Sequence, residues 1–236
     1  MMTFSERFQV KIIHNGCAQE IVIKNHYLHR QAPCSFAFGL FDKQQLNFFD
    51  QPTLVGVIMY GTPSSSPLRR GICGEDESDN VIELTRLWIK DGLPQNVESH
   101  LITKTMRKVD KEIIVSFAEP QKGHLGIVYQ ACSWLYTGLS AKRTDWTVKG
   151  INKHGQTIAD KYSAEEVRNI FKNKFSLEKR PQKHRYVYFN CGRLRRKELF
   201  KKLNYPIMQY PKNNKESFLN SKDSANTDGK ANKSND

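Results

Sequence analysis

No stretch of this 236-residue chain approaches the roughly 20 consecutive apolar residues that a membrane helix needs. The opening segment, MMTFSERFQVK, lacks the apolar core of a signal peptide, so the expectation is a cytoplasmic protein. Cysteine is sparse: Cys17, Cys34, Cys73, Cys132 and Cys191 are scattered, odd in number and free of any CxxC pair. That pattern excludes a disulfide framework and a zinc knuckle, and it suits a reducing compartment. What is present, 38% hydrophobic and 11% aromatic residues, is enough for one substantial buried core.

Acidic residues are clearly outnumbered by basic ones in one part of the chain only. Residues 1–148 hold 16 Lys and Arg against 15 Asp and Glu, whereas residues 149–236 hold 21 against 9. Nearly all of the net charge of +13 therefore sits in the last third. A charge that served solubility alone would be spread more evenly. A concentrated one points to a polyanion, with nucleic acid as the expected partner and a merely solvated basic face as the bland alternative. A membrane surface fits less well, because the chain has no lipidation signal and no long basic amphipathic helix.

The chain is organised around Lys111–Gly138. Glu112 to Phe117 is a β-branched and aromatic run of strand length, and Pro120 and Gly123 break it. From His124 the apolar residues Leu125, Val128, Cys132 and Leu135 recur at helical spacing, which predicts a helix ended by Gly138. Ser116, Glu119 and His124 cluster at the turn, where ligands bind in open α/β sheets. A second such unit precedes it: a strand over Val81–Ile89, then a helix from Val97 to about Val109 with Asn96 as its N-cap. Two consecutive strand–helix units predict neighbouring parallel strands at the centre of a sheet.

Elsewhere, Arg7–Ile13 reads as a strand, and Gln19–Leu28 as either a helix or a strand. Ser35–Leu40 and Leu54–Gly61 read as an antiparallel pair, followed by a long polar loop over Thr62–Gly71. Hairpin strands are expected over Leu139–Asn152, a helix after Ser163, a strand over Lys183–Phe189 and a basic helix over Arg193–Leu203. Residues 213–236 have almost no apolar content and read as a disordered tail.

This order of elements resembles the GCN5-related N-acetyltransferase (GNAT) fold, in which a central strand splays from its neighbour to admit an acyl-CoA. The resemblance implies an α/β (α+β) protein with a mixed central sheet flanked by helices. It places the donor, acetyl-CoA or another acyl donor, along Leu87, Trp88, Ile89, Asn96 and Ser99, with its pyrophosphate at a helix N-terminus. The glycine-rich Q/R-x-x-G-x-G/A signature of that superfamily is missing; Asp91–Asn96 stands in its place.

A narrower resemblance comes from the segments NHYL (Asn25–Leu28), VGVIMYGTP (Val55–Pro63), IELTRLWIKDGLPQNVES (Ile82–Ser99) and SFAEPQKGHLGIVYQACSWLYTG (Ser116–Gly138), with KHRYVYF (Lys183–Phe189) and YPK (Tyr210–Lys212). These look like the Mom-type phage DNA-modification proteins over roughly residues 8–212; where that pattern carries aspartate, this chain has Glu119. The resemblance implies one domain over 1–212, basic from 149 onward, in a phage- or prophage-encoded enzyme. Such an enzyme places a methylcarbamoyl (acetamido) group on adenine N6 of double-stranded DNA and so protects that DNA from restriction. An iron centre has been associated with the family, and His26, Tyr27, Glu119 and His124 are the candidate ligands.

Adenine N6 is a poor nucleophile paired inside a duplex, so the base must be flipped out, stacked and deprotonated as the new bond forms. Candidates for proton transfer are His26, His124, Glu119 and Asp145. Tyr27, Tyr60 and Tyr129 could stack the base or hold a proton, or be interior tyrosines. Arg86 beside Glu83 is a phosphate clamp or a buried ion pair, and Ser116 a substrate ligand or a turn cap. Lys183, Arg185, Arg193, Arg195, Arg196, Lys197, Lys201 and Lys202 are the expected DNA contacts. Two rival readings use the same features: a non-enzymatic DNA-binding protein, and a conventional acetyl-CoA-dependent N-acetyltransferase.

Overall fold

Ile113, Ile114 and Val115, the β-branched run at the centre of the sequence pattern, form the core of a strand that stands fifth in a seven-stranded sheet. The computed structural model describes residues 3–149, 163–171 and 175–212. The sheet strands are β1 (Phe8–Ile12), β2 (Phe36–Leu46), β3 (Pro52–Gly61), β4 (Val81–Ile89), β5 (Ile113–Ala118), β6 (Leu135–Leu139) and β9 (His184–Phe189), in the order β1-β2-β3-β4-β5-β9-β6. β4 and β5 pair in parallel, as two consecutive strand–helix units require; the other pairings are antiparallel.

Helices cover both faces, so this is the mixed α/β architecture expected. On one face, α4 (Val97–Met106) buries Val97, Leu101, Ile102 and Met106 against Ile58, Tyr60, Leu84 and Ile114. On the other, α3 (Ser66–Cys73) and α7 (Arg193–Lys202) bury Ile72, Cys73 and Leu199 against Val81, Ile113, Val115 and Val187. α2 (Asn15–Asn25) packs Ala18 and Val22 on Val57 and Met59, which resolves the ambiguous Gln19–Leu28 stretch as mainly helix. A four-residue helix α1 (Phe4–Arg7) leads into β1. The C-terminal strap closes the β6 edge: Met208 N–H donates to the Tyr136 carbonyl at 2.9 Å and the Tyr210 hydroxyl to the Trp134 carbonyl at 2.8 Å.

Three expectations are corrected. The helix read from His124 to Gly138 is only α5 (Ile127–Ala131), and Gly138 lies inside β6. Gly126 enters α5 with φ +73° and Ser133 leaves it with φ +58°, so left-handed residues bound a single turn. Trp134 and Tyr136 then bury themselves in the sheet core, which overrides the helical spacing of Leu125, Val128 and Cys132. The loop read over Thr62–Gly71 is largely α3; Ser65 Oγ caps the Leu68 amide at 3.3 Å, and Pro67 is accommodated in the first turn. The hairpin read over Leu139–Asn152 is instead β7 (Arg143–Val148), paired with the distant β8 (Phe175–Arg180) in a separate two-stranded sheet. The helix after Ser163, α6 (Ala164–Phe171), is present with the reciprocal Ser163–Glu166 capping bonds. Residues 150–152 and the tail 213–236 lie outside the described residues.

Candidate active site between parting strands

β4 and β5 pair only through Val81↔Ile113, Ile82↔Ile114 and Glu83↔Val115. Beyond Glu83 the two strands part. At that point a side chain takes the place of the ladder: Ser116 Oγ stands 3.0 Å from the Leu84 carbonyl oxygen and 2.8 Å from the Tyr129 hydroxyl. Tyr129 is delivered by α5, and burial pushes its hydroxyl up to about 12, so it is a neutral hydrogen-bonding group.

Glu119 follows β5 and is ion-paired with Lys183. Lys183 is itself fixed at the start of β9: its N–H donates to Ser140 Oγ at 3.0 Å, and its carbonyl accepts from the Ser140 amide at 2.8 Å. Burial disfavours charge on Glu119, but the Lys183 ammonium outweighs it, helped by Arg30 and His124, and the carboxyl stays below its ordinary range. The end of α2 supplies an aromatic wall. The His26 and Tyr27 rings stack with centroids 4.3 Å apart, and Tyr27 lies 5.3 Å from the His124 ring. Burial, reinforced by Arg86, pulls His26 down to about 4, so it is neutral at pH 7. Its Nδ1 accepts the Leu28 amide at 3.2 Å, which leaves the proton on Nε2.

Arg86 reaches in from β4. Its guanidinium donates to the Thr85 carbonyl at 2.6 Å and the Gln31 carbonyl at 3.3 Å, while Nε is buried without a partner among the described residues. Of the two earlier readings of Arg86, neither hydrogen bond is the buried ion pair with Glu83. Glu83 is a residue that sequence reasoning passed over, noting it only as a neighbour of Arg86. Burial pushes its carboxyl up to about 7, with Arg86 and Lys183 opposing the rise. The signal was available: a lone acid in the otherwise apolar start of a central strand, Val81-Ile82-Glu83-Leu84, is a costly placement.

The structure thus brings together His26, Tyr27, Arg86, Ser116, Glu119, His124 and Tyr129. Tyr60 lies deeper, in the same core cluster as Tyr129. It is fully buried under α4 with its hydroxyl 2.8 Å from Thr105 Oγ, and burial raises its pKa far above the ordinary value. Leu87 and Ile89 anchor β4 in the main core, and Trp88 packs on the α2 side. Their backbone, rather than their side chains, therefore lines the opening. Asn96 precedes α4 in a left-handed conformation with no side-chain cap, and Ser99 Oγ donates back to its carbonyl at 3.0 Å. No capping side chain thus occupies the first-turn amides of α4, which fits an anionic group there.

Iron does not fit the proposed ligands as they stand. Glu119 is committed to Lys183 and His26 Nδ1 to a backbone amide, and no group of three His, Cys, Asp or Glu side chains among the described residues is placed to hold a metal ion.

The expected DNA contacts separate. Arg185 is buried: its Nε donates to Thr137 Oγ1 at 2.8 Å, and its guanidinium lies 3.4 Å over the Tyr205 ring. Arg195 is spent on Glu77 at 2.6 Å, Glu112 at 2.9 Å and Glu198 at 3.3 Å, and Lys202 on Glu77 at 2.7 Å. Arg196 donates to the Cys191 carbonyl, while Arg193, Lys197 and Lys201 are exposed. Glu77 and Glu112 precede β4 and β5, so α7 sits at the opposite end of these strands from the opening.

Comparison with known proteins agrees with the sequence pattern. The profile of the Mom protein family matches residues 7–212. The methylcarbamoylase Mom of Escherichia phage Mu is 27% identical over 215 residues, covering 88% of this chain and 85% of that protein. Among solved structures, Arabidopsis thaliana NAA60 in complex with acetyl-CoA aligns with a TM-score of 0.46 and 8% identity, over 77% of this chain and 99% of that one. YncA, a putative acetyltransferase from Salmonella typhimurium with acetyl-CoA, aligns with a TM-score of 0.43 and 10% identity, over 79% and 95%.

Proposed function

This chain belongs to the Mom protein family, and from that premise we propose that it is a DNA-modifying transferase that places a methylcarbamoyl group on adenine N6. The name of the phage Mu relative supports the group transferred. The observation that carries the reading is the opening past Glu83, where one carboxyl titrates near neutrality and another is held as an anion beside an aromatic wall.

In this reading the residues divide the work. Tyr27, exposed by 44% and backed by His26, offers a face on which an extruded base can stack. Glu83, whose carboxyl changes charge close to pH 7, takes the N6 proton as the new bond forms. Glu119 stays ionised and orients the exocyclic amine or the cation that develops on it. Arg86 Nε is a buried donor free to meet an oxygen of the donor group or of the DNA backbone. The Tyr129–Ser116 pair supplies a hydroxyl that can protonate a leaving group. Acetyl transfer alone would leave an N6-acetyl group, so the donor must already carry the amide nitrogen of the methylcarbamoyl group together with a leaving group on its methylene carbon. The β4 backbone at Leu87–Ile89 and the first turn of α4 at Asn96–Ser99 are where this chain would hold such a donor.

No helix among the described residues is long and apolar enough to cross a membrane, and the reading places the protein on DNA inside a bacterial host. Expression in Escherichia coli followed by nucleoside mass spectrometry tests it. The expected result is a deoxyadenosine derivative heavier by the methylcarbamoyl group. Unmodified nucleosides from cells full of folded protein would sink the reading.

A further inference from the structure

Between β6 and β9 the chain leaves the main sheet at Ser140 and returns at Lys183, and the two ends are bonded to each other. Lys183 is the residue that holds Glu119, so this excursion is rooted at the mouth of the opening. Its described core is the ribbon of β7 and β8, six residues on each strand, followed in space by α6. Residues 140–183 carry 11 Lys and Arg against 5 Asp and Glu.

We infer that this arm, and not the basic helix α7, is the element that grips the DNA duplex; the inference rests on the DNA-modification reading above. Three observations carry it. First, the register gathers cations of both strands at the root of the ribbon, where Arg143 faces Arg180 and Thr144 faces Lys179. Cations concentrated at one end of a ribbon suit a polyanion. Second, Lys142, Arg143, Thr144, Ser176, Leu177, Glu178 and Lys179 are exposed, so both faces of the ribbon stand clear of the domain near its root. Arg143 alone among these bonds back to the body, through Ser65 Oγ at 3.1 Å. A two-stranded ribbon exposed at its root fits a major groove about 12 Å wide. Third, α7 points its strongest cations at Glu77 and Glu112, at the far end of β4 and β5. A duplex whose base enters the opening meets the root of the arm first. Cations there neutralise phosphates next to the flipped nucleotide, where unpairing must be offset by backbone contacts.

The test compares two full-length triple variants, Lys142→Ala with Arg143→Ala and Lys179→Ala, and Arg193→Ala with Lys197→Ala and Lys201→Ala. Fluorescence anisotropy of a labelled duplex is measured from about 50 to 200 mM salt. The arm variant should flatten the log–log salt slope by about two to three, and the α7 variant by less than about one. An arm variant that keeps the wild-type slope overturns the inference. Should that variant fold poorly, amine labelling of the wild-type chain replaces it: Lys142 and Lys179 should be protected by duplex, and equal labelling with and without DNA overturns the inference just as well. Nucleoside analysis separates the two claims. Modified adenine with an arm-independent slope defeats the arm alone, whereas an arm-dependent slope without modified adenine defeats the reaction alone.

Discussion

Lys183 and Glu119 are ion-paired across 64 positions of sequence, one at the start of β9 and the other in the turn after β5. The pair joins the mouth of the strand opening to the root of the arm. A charge that Glu119 would otherwise tend to lose on burial is thereby kept.

Glu119→Gln keeps the shape of the side chain and removes the charge. Modification should fall by about 100- to 10,000-fold, as for loss of a group engaged in proton transfer or charge stabilisation. Lys183→Met should lower it as well, and Lys183→Arg should recover part of it. The modified fraction of adenine at matched expression is the readout; wild-type levels in Glu119→Gln would make the carboxylate structural.

Glu83 gives a signed pH dependence. Its carboxyl is raised from 4.5 to about 7 in the folded protein, so the folded state holds a proton that the unfolded chain has released. The contribution of Glu83 to stability is therefore fully present below about pH 4.5 and is lost as pH rises through about 7. Glu83→Gln should melt like wild type at low pH and above it at pH 8, while its rate loses the limb near pH 7. Parallel melting curves across that range would contradict the raised value.

Gly126 starts α5 at φ +73°, and a Cβ there would run into the Tyr186 ring. Gly126→Ala should cost about 1–3 kcal/mol by strain and overpacking. It should also disturb Tyr129, three residues on. Urea denaturation measures the first effect, and a loss below about 0.5 kcal/mol would show that the turn can shift.

Arg195→Met should act on stability and not on DNA. It leaves the buried Glu77 with Lys202 and Asn80 and strips Glu112 of its cation. The expected loss is about 1–3 kcal/mol, with duplex affinity changed less than about twofold at a fixed salt concentration. A large affinity loss with unchanged melting would restore α7 as a DNA contact.

Local pattern carried much of the architecture. The β-branched runs at Val81–Ile89 and Ile113–Ala118 each formed a strand, and their spacing put them side by side in parallel. Longer-range competition decided the rest. The helical spacing after His124 was overruled because burying Trp134 and Tyr136 in the sheet outweighs a second helical turn. Tyr60 and Arg185 stood in segments that carried the family pattern, yet the fold turned both inward.

Sequence by itself determined the family, the two central parallel strands and the identity of most groups gathered at the opening, because periodicity and motif are properties of neighbouring residues. Only the tertiary structure decided which charges are spent and which remain. Arg195 and Lys202 looked no different in sequence from Arg193 and Lys197, until the turn over Glu75–Asn80 and the approach to β5 brought Glu77 and Glu112 against the first pair. Glu83 likewise became a group titrating near neutrality only when packing removed water from it. Coulomb interaction and desolvation depend on distance and burial in space, and neither can be read from separation along the chain.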